Sequence, residues 1–173
     1  MEAEGILTAL AEVAIAIAGF SGIVVALQNR TVDWSKTDKL RFSLLLQVSF
    51  GGVFFSFVPI VLYLMHPFEP FVWRCSSGLW LVYIVCSIGY RVSQFPRVSA
   101  PGYDTSKGAL AFLLSTLCTS VLLQVANVVW LRVSWPHIVT VIVGMLLAFV
   151  LFVRLLRTVI GTAAQQADEA GVE

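Results

Sequence analysis

The feature that most limits what this chain can fold into is a set of five apolar runs, at residues 6–27, 40–65, 71–92, 108–131 and 136–156. Each has at least the ~20 residues that a helix needs to cross the hydrocarbon core of a bilayer. The connections between them are too short to hold a sizeable soluble domain. The expected fold is therefore all-α: a polytopic transmembrane helical bundle of five spans, with residues 1–173 as one membrane-embedded domain ending in a polar tail at 158–173. Composition points the same way. Hydrophobic residues make up 58% of the 173 positions and charged residues 12%, about half the ~25% charged content of an ordinary soluble domain. Such a chain has too little polar surface to cover a globule in water.

The first run alternates Ala with Val and Ile from Val13 to Ala18, a rhythm that on its own would fit a strand. Length excludes that reading, because an unclosed strand cannot satisfy its backbone in lipid. Acidic Glu2 and Glu4 precede this run in place of a basic segment, so a cleaved signal peptide is not expected.

Charge sets the expected orientation. Nine of the eleven Lys and Arg residues fall on one side of a five-span chain: Arg30, Lys36, Lys39, Arg41, Arg91, Arg97, Lys107, Arg154 and Arg157. Only Arg74 and Arg132 fall on the other. The positive-inside rule then puts the N-terminus outside and the C-terminus in the cytoplasm. Trp73, Trp130, Trp135 and Tyr63 gather at the expected outer edge, and Trp34, Tyr90 and Tyr103 at the inner one, as interfacial aromatics do. Ser35-x-x-Asp38 resembles a helix N-cap box ahead of the second span. Pro101-Gly102 followed by Asp104-Thr105-Ser106 reads as a turn leading into the fourth.

In helical register, Thr8, Glu12, Ile15, Gly19, Gly22 and Ala26 share one stripe of the first span. Gly19, Gly22 and Ala26 would let another helix approach closely, so this stripe is expected to face protein, with Gly51-Gly52 in the second span as its complement within the chain. Glu12 is six residues into the run, roughly 9 Å below the outer edge at ~1.5 Å per residue. An ionisable group at that depth marks a candidate functional site. Counting from the outer edge of the other spans puts Ser77 and Gln124 at about the same depth, Asn127, Ser76 and Thr140 slightly nearer the surface, and Arg74 three residues in. An outer-leaflet polar cluster of Glu12, Arg74, Ser77, Gln124, Asn127 and Thr140 is the expectation, with Arg74 as the cation for Glu12. Pro59 removes one backbone donor from the second span and frees a carbonyl one turn earlier, which predicts a kink.

Other chemistries find little support in these residues. Cys75, Cys86 and Cys118 are odd in number and lie in apolar runs, so they read as small buried residues. His66 and His137 at span ends read as interfacial hydrogen-bonding groups, and no metal or cofactor is expected. No nucleophile with an adjacent base, P-loop or H-E-x-x-H motif occurs, which argues against an enzyme. A net charge of +1 without a basic tail argues against nucleic acid. The expected partners are the lipid bilayer, further copies of the chain and another membrane protein. The leading expectation is a homo-oligomeric channel- or pore-like assembly with Glu12 near an axis or cavity. A non-transporting accessory protein is the alternative. A lipid- or quinone-binding bundle using the aromatic "FGGVFFSF" segment of the second span ranks third. Compact loops without paired cysteines fit a bacterial inner membrane.

Overall fold

A computed structural model of the chain describes residues 3–28, 36–98 and 107–170. These form five helices: α1 (Glu4–Gln28), α2 (Lys36–Met65), α3 (Glu69–Val98), α4 (Lys107–Ala126) and α5 (Ser134–Ala170), with a five-residue π-helical turn, Asn127–Leu131, closing α4. There is no strand among the described residues. Every helix contributes a stretch long and apolar enough to cross a membrane: Glu4–Val24, Lys39–Met65, Glu69–Tyr90, Leu114–Leu131 and Ser134–Arg157. The architecture is all-helical among the described residues and compatible with a multi-pass membrane protein.

Two helices run well past the apolar segments that nucleate them. Helix α3 continues to Val98, and α5 spans 37 residues to Ala170. At ~1.5 Å per residue α5 is about 55 Å long, against ~30 Å of hydrocarbon. The expected polar tail at 158–173 is thus mostly helix. Its Ala, Gln and Glu residues have high helix propensity and no proline stops the run. The segments holding Ser35 and Pro101 to Ser106, with the cap box and turn expected there, lie outside the described residues.

Both described turns are tight. Between α2 and α3 the Phe68 N–H donates to the His66 carbonyl at 2.7 Å. Pro70 follows in the first turn of α3, where a missing N–H costs nothing. Between the π turn and α5 only Arg132 and Val133 intervene. Arg132 takes a left-handed backbone with φ 53°, and its N–H closes the π turn on the Asn127 carbonyl at 3.1 Å. These turns and the start of α1 share one end of the bundle, hereafter the hairpin end. There Ala3 and Leu7 of α1 pack with Ile60 of α2, Trp73 of α3 and Ile138 of α5. A second layer lies deeper, where Ala14, Phe55, Trp80, Val141 and Met145 meet.

The buried face of α1 is Ala3, Leu7, Ala11, Ala14 and Ser21. This seam lies about 100° around the helix from the glycine stripe. Gly19 and Gly22 have open space where a Cβ would project, and Ala26 is exposed. The pairing of that stripe with Gly51-Gly52 is therefore not the one the fold makes. A Cβ on Gly52 would meet the Ala14 Cβ at 3.4 Å and the Met145 Cε at 3.3 Å, and one on Gly51 would meet the Tyr83 Oη at 3.1 Å. The second-span glycines do serve close packing, but against α1's alanine seam, α5 and α3. Alanine, like glycine, lets two helices approach, so the partner of Gly52 is a small residue of a different stripe.

A consequence is measurable. Gly52→Val should lower unfolding stability by about 1–2 kcal/mol through overpacking, whereas Gly19→Val in the monomer should change it by less than about 0.5 kcal/mol. Denaturation in mixed detergent micelles compares the two, and equal effects would contradict the packing described.

Candidate functional site

Polar groups collect in the interior at the hairpin half of the bundle. The Asn127 Nδ2 donates to the Ser77 Oγ at 2.8 Å, and its Oδ1 accepts the Val133 N–H at 3.0 Å. One side chain thereby ties the π turn to α3 and caps the entry to α5. The π turn explains how: its backbone carbonyl waits for the Arg132 N–H, and the side chain takes the next donor along the chain. Ser77, Asn127, Gln124 and Thr140 are all buried. The Thr140 hydroxyl donates to the Pro136 carbonyl at 2.8 Å, as Ser56 does to Gly52 and Ser21 to Ile17. Hydroxyls bonded to their own helix are a structural device.

His137 joins this core although its position near the end of a span reads as interfacial. It is fully buried, with its ring 6.1 Å from that of Trp73 and 6.4 Å from that of Phe55. Its Nε2 lies 2.9 Å from the Phe55 carbonyl. That carbonyl is the one released by Pro59, four residues on, which has no N–H to return. A carbonyl only accepts, so Nε2 carries the proton. His137 therefore supplies from α5 the donor that α2 lacks. The signal was present in the sequence as Pro59: a proline inside a spanning helix leaves a carbonyl that some donor must meet. Which donor meets it depends on which helices are neighbours.

The two charged members of the expected cluster are elsewhere. Glu12 and Arg74 are both exposed on the outside of the bundle, and no ion pair joins them. They also belong to different layers. Glu12 shares a turn with Ala14 of the deeper layer, whereas Arg74 follows Trp73 of the layer at the hairpin end. The structure joins Ser77 to Asn127, buries Ser76, Gln124 and Thr140 inside the bundle, buries His137 as well, and leaves the carboxylate and the guanidinium facing out. The reason is azimuthal: depth counting fixes height along a helix but not the side from which a residue projects.

Elsewhere the surface is apolar. Phe50, Phe54 and Phe57 of "FGGVFFSF" face outward and Phe55 fills the core, so this segment offers no internal aromatic slot. Cys86 and Cys118 are exposed and Cys75 is half-buried. No group of three or more His, Cys, Asp or Glu residues stands ready for a metal among the described residues. No family model, curated protein or solved structure matches this chain. Functional inference therefore rests on the carboxylate carried on the bundle's outer face and on the polar core behind it.

Proposed function

We propose that the chain is a subunit of a homo-oligomeric, channel- or pore-like assembly in which the outer stripe of α1 faces neighbouring copies. The observation that carries this reading is Glu12, which is exposed within the apolar stretch Glu4–Val24 and has no ion-pair partner among the described residues. A carboxylate facing lipid at such a depth costs up to about 2.5–3.5 kcal/mol, and water or a protein partner removes that cost. Gly19 and Gly22 continue the same stripe with open space at their Cβ positions, leaving a shallow track along which a second helix can approach. Copies arranged around an axis would bring their Glu12 side chains into a ring, the arrangement by which acidic groups favour cations in pores.

The test begins with mass. The protein in native nanodiscs should run as one defined oligomer, and Gly22→Leu, which fills the track, should shift it towards monomer. Reconstituted oligomer should conduct monovalent cations, and Glu12→Gln should lower cation selectivity severalfold. A strict monomer overturns the assembly. An oligomer that passes no ions removes the conduit, and the same stripe then belongs to an accessory protein that docks on membrane partners.

The reading includes an orientation and a place: the hairpin end outside the cytoplasm of a bacterial inner membrane, by the nine-to-two distribution of basic residues. In a background with Cys75, Cys86 and Cys118 replaced by serine, an impermeant thiol reagent added outside intact cells should label Phe68→Cys and spare Ala170→Cys. The reverse pattern inverts the topology.

A further inference from the structure

Three fully buried side chains at the hairpin half have polar atoms with no protein hydrogen-bond partner: Gln124 through both Oε1 and Nε2, Ser76 through Oγ, and His137 through Nδ1. Their neighbours put them in adjoining turns. Ser77, next to Ser76, is bonded to Asn127, and Gln124 lies one turn along α4 from Asn127. Trp73, one turn from Ser76 along α3, packs against the His137 ring. The Ser76–Ser77 turn is therefore linked to Gln124 by way of Asn127 and to His137 by way of Trp73.

The chemistry of the set selects its guest. Gln124 presents two N–H donors and a carbonyl acceptor, Ser76 a hydroxyl that does both, and His137 Nδ1 a lone pair once Nε2 holds the proton. An anion would meet the lone pairs of Gln124 Oε1 and His137 Nδ1. A cation would be met by Gln124 Oε1 and His137 Nδ1 but would leave the Gln124 N–H groups unpaired, with no carboxylate at hand, since Glu12 and Glu69 are exposed. Only a molecule that donates and accepts equally suits all three. We propose that this is an internal hydration site, in which ordered water between α3, the end of α4 and α5 bonds Gln124 and Ser76 and continues one turn towards the hairpin end to His137 Nδ1. Buried waters commonly take up polar groups that the fold leaves over, and an unpaired amide inside a membrane bundle has no bulk water to turn to. The site lies inside one subunit and stands apart from the stripe on α1.

Water-edited solid-state NMR on the wild-type, isotope-labelled protein in liposomes tests this without any variant. The Gln124 side-chain amide, assigned through its own backbone, should receive magnetisation from water several-fold faster than the backbone amide of Ala14, which is buried in the apolar layer. A Gln124 build-up as slow as that of Ala14 overturns the proposal, because the amide is then dry. A fast build-up at both positions also overturns it, since hydration would then be general rather than confined to this site.

Discussion

Replacing Asn127 by leucine is expected to cost about 2–3 kcal/mol of unfolding stability, one of the two largest effects of any polar replacement in this core. Leucine fills a similar volume but removes two bonds at once, the Nδ2 donation to Ser77 and the acceptance of the Val133 N–H. Ser77 is fully buried, so most of the cost is the stranding of its Oγ, with a further share from the part-buried Val133 N–H just ahead of α5. Ser77→Ala removes only one of the two bonds and should cost about 1 kcal/mol or less, near the modest values found for interhelical side-chain bonds in membrane bundles. Reversible unfolding in mixed micelles gives both numbers and, with the double variant, their coupling. An Asn127→Leu penalty no larger than that of Ser77→Ala would mean that the cap on Val133 contributes nothing. The π turn would then be held by its backbone alone.

The number and rough limits of the helices were legible because they follow from solvent chemistry: a bilayer demands long apolar helices, and the chain supplies five. The inward face of α1 was not legible, and the cause is specific. In water the polar face of a helix betrays its orientation, but α1 is apolar almost all round. Its two candidate seams, Leu7-Ala11-Ala14 and Gly19-Gly22-Ala26, are both small enough for close packing. Nothing local to α1 says which one meets Gly52. The candidate site divides along the same line. Ser77, Gln124, Asn127 and Thr140 were found by depth because uncharged polar groups in a span tend to turn inward. Glu12 and Arg74 share comparable heights in that count but project outward. Ser76 was found by depth as well, whereas His137 entered the site only through its neighbours on α2 and α3. Helix ends past the membrane, such as residues 158–170 of α5, depend on propensity in water, which hydropathy does not weigh.

His137 and Pro59 should behave as a linked pair across α2 and α5. In the native chain, His137→Leu removes the side-chain donor at the Phe55 carbonyl, and the proline at position 59 offers nothing in its place. A penalty of about 2–3 kcal/mol is expected, since a stranded carbonyl is added to a lost bond. With Pro59→Ala, the alanine N–H can return to Phe55 in the ordinary helical pattern. The same His137→Leu change should then cost about 1 kcal/mol, mostly for altered packing against Trp73 and Phe55. The cycle thus predicts a coupling of about 1–2 kcal/mol in which the proline variant suppresses the histidine one. Packing alone yields no such suppression, because Trp73 and Phe55 are unchanged between the backgrounds. An equal penalty for His137→Leu with proline or alanine at position 59 would therefore refute the capping role and leave His137 as a space-filling ring. If suppression is seen, the proline-bearing second helix is held by its neighbour's histidine at the Phe55 carbonyl, and the outward register of α2's phenylalanines is set in part by a residue on α5.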